Sequence, residues 1–241
     1  MRLDRALVDR GLVRSRTEAQ SLIDARLVTV DGAVVTKAST DVGDQATLDV
    51  TGALCPYVGR GGLKLAAALD HFGLDVTNHH CLDVGASTGG FTDCLLQRGA
   101  SHVVAVDVGH GQLHPTLARD PRVTLREGVN AREMKPEDFD RPFDTIVADL
   151  SFISLTLVIP AMSKLAVEGG QFVLLVKPQF EVGPSGLGKG GIVRSEVLRQ
   201  DALKRVKACA EANGLVVGGS MVSPITGGEG NEEFLLWAVR E

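Results

Sequence analysis

The sequence predicts an α/β protein: a mostly parallel seven-stranded sheet whose last strand runs antiparallel, preceded by a small α+β unit. Two observations carry this. From Arg60 onward, apolar β-rich runs alternate with helical patterns, the order that builds a parallel sheet with crossover helices. The last two apolar runs lack a long helix between them, so the final strand has to return antiparallel.

Taken in order, the first fifty residues read as two short helices and a hairpin. Leu3, Leu7 and Val8 recur at helical spacing, and Gly11 follows as a C-terminal cap. Ser15 and Glu18 in "SRTE" have the spacing of a capping box, starting a helix that turns Ala19, Leu22, Ile23 and Leu27 inward. In "LVTVDGAVV" the Asp31-Gly32 pair separates alternating apolar residues, a hairpin signal because that turn needs positive φ. The expected boundaries are a domain over 1–50, a linker over 51–59 ("TGALCPYVG" without its first-strand neighbours is uncharged and Gly/Pro-rich), and a second domain over 60–241.

In the second domain the candidate strands are "CLDVG", "HVVAVDV", "VTLRE", "DTIVADL", "FVLLVK", "LVVGGSMV" and "EFLLWAV". Helices are expected over Lys64–Phe72, Gly90–Arg98, Leu155–Leu165 and Val193–Ala212. Composition bounds the function. The net charge of −5 argues against a chain that coats nucleic acid, while leaving room for a local basic face. Four cysteines without C-x-x-C spacing point away from a disulfide framework, and the adjacent His79-His80-Cys81 lack metal-ligand spacing, so no metal is expected. The charged N-terminus has no signal-peptide core, and "FISLTLVIPAM" is well short of the ~18 residues that span a bilayer; a cytoplasmic protein is expected.

"GPSGLGKG" nearly matches a phosphate-binding loop, but Gly190 stands where a Mg²⁺-binding hydroxyl is needed and Pro178–Gly183 separate the pattern from the preceding strand. It reads instead as a glycine-rich loop that follows Lys177 and offers Lys189 to a phosphate. "LDVGASTGGFTD" joins a strand to a helix through G-x-S-x-G-G, where glycines let a ligand approach and the helix presents free amides. Asp83 before the first glycine suits an ammonium better than a pyrophosphate, and Asp107 at the end of the next strand suits ribose hydroxyls. A purely structural turn, a dinucleotide site and an S-adenosylmethionine site are all compatible with this signal alone. Four more residues stand out: Lys64 on a helix entering the sheet, Asp149 and Lys177 ending strands, and Glu233 opening the last one. Carboxyl ends of strands border the ligand crevice of an open α/β sheet.

The stretch from Arg2 to about residue 50 closely resembles the S-four RNA-binding domain, in charge, cap, turn and spacing. That resemblance implies phosphate contacts by Arg2, Arg5, Arg14, Arg16, Arg26 and Lys37. Lys64, Asp149, Lys177 and Glu233 resemble the Lys-Asp-Lys-Glu set of FtsJ-like RNA 2′-O-methyltransferases, the spacing G-N-x-E selecting Glu233 over Glu232. With "RGGLKL", "DVGASTGGFTD", "EGVNAR", "ADLSFISL" and "LVKPQFE", the whole chain resembles the TlyA (haemolysin A-like) family. The resemblance implies a Rossmann-like S-adenosylmethionine-dependent methyltransferase fold and 2′-O-methylation of cytidine in ribosomal RNA, within subunits or ribosomes. It places Asp83, Gly85, Ser87 and Gly89 near the methionine end of the cofactor, Asp107 at its ribose and Asn130 near its adenine. Lys177 is expected to take the proton of the hydroxyl, or else to orient it, with Lys64, Asp149 and Glu233 positioning. Three rivals fare worse: a membrane-active haemolysin lacks a spanning segment, a cofactor sensor has no need of two lysines, and a dehydrogenase needs G-x-G-x-x-G.

Overall fold

A computed structural model describes residues 1–52 and 55–241; Ala53 and Leu54, inside the expected linker, lie outside the described residues. The chain divides into two units, Met1–Pro56 and Tyr57–Glu241. In the first, α1 (Leu3–Asp9) and α2 (Arg16–Asp24) pack with β1 (Val28–Val30), β2 (Ala33–Val34) and β3 (Leu48–Val50), in sheet order β2-β1-β3. Asp31 and Gly32 take φ of 50° and 80° between β1 and β2, as the hairpin requires. The cap of α2 differs from the expected box in one bond. Ser15 accepts the Glu18 amide at 3.1 Å, but the Glu18 carboxylate reaches back to the amide of Arg14, at 2.8 Å, not to that of Ser15. Leu3, Leu7, Ala19, Ile23 and Val28 form the core of this unit.

The second unit runs α3 (Gly61–Phe72), β4 (His80–Val84), α4 (Gly90–Gln97), β5 (His102–Asp107), α5 (Pro115–Ala118), β6 (Val123–Glu127), β7 (Phe143–Ala148), α6 (Ile159–Met162), β8 (Ala166–Val176), α7 (Pro178–Glu181), α8 (Glu196–Ala212), β9 (Leu215–Val222) and β10 (Phe234–Arg240). The sheet order is β6-β5-β4-β7-β8-β10-β9. Strands β4 to β8 are parallel, and β10 inserts antiparallel between β8 and β9. One apolar layer, with Leu82, Phe143, Ile146, Phe172 and Leu236, covers one face; another, with Leu65, Leu69, Leu95, Val103 and Leu235, covers the other. Burying each such side chain contributes about 1.5–3 kcal/mol.

Two expectations are corrected. The helix expected over Leu155–Leu165 is instead a 3₁₀ turn, Leu155–Leu157, followed by the four-residue α6. Pro160 is the reason: lacking an amide hydrogen, it is tolerated only in a first helical turn, so the helix must restart just before it. The fifth strand of the large sheet begins at Ala166, well before Phe172, but Ala166 pairs with Phe143 and Gln171 with Thr145, so Glu168, Gly169 (φ 75°) and Gly170 bulge out of the ladder between them. No helix among the described residues is long and apolar enough to cross a membrane.

Candidate active site

The switch in strand order about β4 and β7 opens a crevice at the carboxyl ends of the strands, where an α/β sheet binds its ligand. Here β4 runs into the glycine loop. Gly85 has φ 84°, and a Cβ on it would stand 2.6 Å from the Asp149 carbonyl. Gly89, at φ 95°, would meet Leu117 at 2.3 Å. Both positions therefore require glycine, on conformational and steric grounds. Asp107 at the end of β5 ties the loop down: its Oδ2 accepts the Ser87 amide and its Oδ1 the Gly109 amide, each at 2.8 Å. Each carboxylate oxygen keeps a second lone pair for a ligand hydroxyl.

A cavity of about 570 Å³ lies over this loop, lined by Gly85, Ser87, Asp107, Asn130, Asp149 and Phe152 among others. Its size suits a nucleoside-bearing cofactor. Asn130 lines it, although its side chain is engaged locally, donating to Glu133 at 2.6 Å and accepting from the Arg132 amide at 3.2 Å. A second cleft, of about 230 Å³, shares Gly85, Ser87, Asp149 and Ser151 with the first and adds Gly61 and Lys177. The two spaces are contiguous across Asp149 and Ser151.

Asp83 is placed elsewhere. It is fully buried in β4, beneath the loop, and lines neither space. Thr92 of α4 donates to its Oδ2 at 2.6 Å, while Oδ1 has no partner among the described residues. Burial pushes this carboxyl up to about 7. The folded chain therefore holds a proton that the unfolded chain releases above the ordinary carboxylate range. The resulting stability is complete at acid pH and is lost as pH rises from about 4 towards 7. Asp83→Asn should accordingly raise the melting temperature relative to wild type at pH 8 and leave it nearly unchanged at pH 4. Equal shifts at both pH values in scanning calorimetry would contradict this.

The four candidate catalytic residues form two ion pairs. Lys177, just past β8, places Nζ 2.7 Å from Asp149 Oδ1 and donates to Ser151 Oγ at 2.9 Å. Lys64, on α3, meets Glu233 Oε2 at 2.5 Å, and both are buried. The pairs are brought towards each other twice. The β8–β10 ladder ends at Val176 opposite Phe234, so Glu233 and Lys177 follow as neighbours. Gly61, one helical turn before Lys64, stands 3.5 Å (through an added Cβ) from Asp149 Oδ2. The charge of Lys64 is balanced by Glu233, so it is not left free to act on Lys177.

Sequence reasoning missed Ser151, Phe152, Glu181 and Asn231. Phe152 is 91% exposed with φ 64°, a conformation that costs a non-glycine residue about 1–3 kcal/mol, and its ring lies 5.3 Å from Phe180. Asn231 is buried and fixes the far end of the glycine-rich loop, accepting the Val193 amide at 2.9 Å and donating to the Gly191 carbonyl at 3.0 Å. The stretch containing Lys189 holds one 3₁₀ turn, Pro184–Gly186, and then turns through left-handed Gly190 and Gly191 (φ 77° and 72°), with Lys189 exposed. Only the position of Ser151 and Phe152 just beyond a strand end could have marked them.

In the N-terminal unit the basic residues are held at the surface by carboxylates. Buried Asp4 receives Arg2 at 3.0 Å and Arg16 at 2.6 Å, and these bonds hold its carboxyl well below the usual range. Arg5 pairs with Asp9 and Arg14 with Glu18, while Arg26 and Lys37 are exposed. Arg10, by contrast, is spent on the carbonyls of Gly43, Asp44 and Ala46.

Comparison with known proteins agrees with this geometry. Residues 57–240 match the FtsJ-like methyltransferase family and residues 1–48 the S4 domain. The 16S/23S rRNA (cytidine-2′-O)-methyltransferase TlyA of Mycobacterium tuberculosis is 47% identical over 98% of this chain and 88% of its own length. A solved structure from Streptococcus thermophilus that carries a hemolysin name is 43% identical, with a TM-score of 0.79 over 100% of this chain and 88% of that one. An S-adenosylmethionine-dependent methyltransferase from Mesorhizobium loti, 16% identical, shares the fold alone, with a TM-score of 0.55 over 76% of this chain and all of that one. An S4 domain, a methyltransferase sheet and two lysine–carboxylate pairs at its crevice thus occur in one chain, which belongs to the TlyA family of FtsJ-like methyltransferases.

Proposed function

We propose that this chain methylates the ribose 2′-hydroxyl of cytidine in ribosomal RNA, using S-adenosylmethionine. The observation that carries the reading is the contiguity of the two spaces: the cavity over the glycine loop and Asp107 shares a wall, Asp149 and Ser151, with the cleft that holds Lys177. The relative from M. tuberculosis bears the same activity in its name. The cavity fits the cofactor: Gly85 lines it without a side chain, Asp107 keeps lone pairs for ribose hydroxyls, and Asn130 lines it as well, whereas Gly89 shapes the loop against Leu117 and lines neither space. S-adenosylmethionine supplies an electrophilic methyl group on a sulfonium.

The chain's own residues do the rest. A 2′-hydroxyl is a poor nucleophile and must lose its proton as it attacks, so a base has to stand at it and hold it in line. Lys177 is assigned that place. As an ammonium it has three donors, of which Ser151 takes one, while Asp149 Oδ1 stands 2.7 Å from the nitrogen as its counter-ion without a hydrogen bond of its own. A free donor orients the ribose oxygen; for Lys177 to accept the proton it must first give up its own. Lys64, Asp149 and Glu233 position it and the ribose. The surface arginines of the N-terminal unit contact phosphates, which orients the RNA without reading its sequence.

Mass spectrometry of ribosomal RNA from cells with and without the gene tests the reading. A 2′-O-methylcytidine that disappears with the gene is the expected result, and an unchanged modification profile would refute it. Lys189 is assigned a backbone phosphate. Lys189→Ala should weaken RNA binding and lower the slope of log affinity against log salt by about one, with S-adenosylmethionine affinity retained. An unchanged slope in filter-binding titrations would remove Lys189 from the interface.

A further inference from the structure

Two segments run side by side at the edge of the crevice, joined by a contact at each step. Lys177 reaches Asp149 and Ser151. Next, the ring of Phe180 lies 5.3 Å from that of Phe152. Last, the Glu181 carboxylate receives the Ser154 hydroxyl on Oε2 at 2.5 Å and the Leu155 amide on Oε1 at 2.8 Å. The first contact belongs to the catalytic set. The last has no part in it, yet it commits a buried carboxylate to a single loop.

A buried carboxylate is costly unless hydrogen-bonded, so Glu181 at 9% exposure needs a structural return for its position. Both its oxygens are spent on the loop that follows Asp149. Its own backbone is braced as well, its carbonyl accepting from Arg205 of α8 at 2.6 Å. What lies between the two pinned ends is Phe152, in a left-handed conformation and largely exposed, with the Phe180 ring beside it. Leu150, Ser151, Phe152 and Ile153 all line the cofactor cavity. If the far end were free, Phe152 would relax to an ordinary φ and the cavity wall would move.

We propose that Glu181 is a positioning residue: it latches the loop from Asp149 to Leu155 at its far end, so that Lys177 and Glu181 together hold Phe152 and the cavity wall in place. The kinetic part of this rests on the methyl-transfer reading above; the latch itself can be observed without it. The test uses the full chain with Glu181→Leu, which keeps bulk but removes both acceptors, Glu181→Gln, which retains one acceptor and a donor that Ser154 can accept, and Ser154→Ala. Hydrogen exchange follows the Leu155 amide, calorimetry follows S-adenosylmethionine binding, and kcat and KM are measured on ribosomal RNA.

Glu181→Leu should lose protection at Leu155 while strands β4 and β7 stay protected. Its kcat/KM should fall about 10- to 100-fold, the scale of an ångström-sized misplacement, and Glu181→Gln should restore it to within about threefold of wild type. Adding Ser154→Ala to Glu181→Leu should cost no more than the bonds of Ser154 to Thr156, since the bond between Ser154 and Glu181 is already gone. Retained protection at Leu155, or lost protection with unchanged kinetics, overturns the proposal. So does a Glu181→Gln variant as impaired as Glu181→Leu. If Glu181→Leu does not fold, Ser154→Ala decides: faster exchange at the Leu155 amide, which still faces Glu181, supports the latch, and unchanged exchange overturns it. A wild-type protein without methyl transfer would sink the functional reading instead, and the exchange result would then decide the latch alone.

Discussion

Lys177→Arg should lose about 10²- to 10⁴-fold in kcat, the usual contribution of a positioned base, while binding S-adenosylmethionine as wild type does. Arginine keeps the positive charge and can still reach Asp149, but it does not give up its proton in any accessible pH range. It can therefore orient a hydroxyl and cannot accept from it. Lys177→Ala should lose both roles and fall at least as far. The comparison separates the two parts that the geometry leaves to one nitrogen, 2.7 Å from Asp149 and 2.9 Å from Ser151. Appreciable turnover by the arginine variant, with a pH profile like that of wild type, would assign Lys177 to orientation and the proton to water.

Glu233→Ala should be the most destabilising single change in the crevice. It leaves Lys64 buried at 7% exposure with its counter-charge removed, a situation that costs about 3–5 kcal/mol. In a unit of this size that corresponds to a fall of about 6–20 °C in melting temperature. The double variant Lys64→Met/Glu233→Leu should regain most of that stability, because a packed apolar pair avoids the desolvation of two charges. Activity should not return with it. Recovery of stability without activity would show that the pair is retained for chemistry. Recovery of both would remove Lys64 and Glu233 from the catalytic set.

The sheet was legible in the sequence because buried parallel strands write themselves as short apolar runs. "HVVAVDV" and "DTIVADL" fall on the buried parallel strands β5 and β7. The antiparallel return of β10 followed from the missing crossover helix. Where the reading failed, a local rule competed with a tertiary one. Pro160 was outweighed by the apolar pattern around it, and the strand read as "FVLLVK" extends back past a bulge to Ala166, which pairs with Phe143. In the crevice, the lysines and carboxylates stood out by type and position, but not who pairs with whom: Lys64 with Glu233 and Lys177 with Asp149 is a matter of side-chain reach. Asp83 was read as a ligand contact, and only the packing of α4 against β4 shows its carboxyl sealed against Thr92. Glu181 had no signal at all, since its significance lies wholly in what Ser154 and Leu155 present to it.

The place of β10 in the sheet has a consequence for the order in which the protein comes to life. Strand β9 is joined to the sheet only through β10, and Lys64 finds its counter-ion 169 positions further along the chain. Translation delivers the N-terminal unit and the strands up to β8 first. Until the final strand emerges, β8 presents an open edge, β9 has nowhere to dock, and Lys64 is a lone cation beside an unfinished crevice. A growing chain thus holds its RNA-contacting unit well before it holds its chemistry.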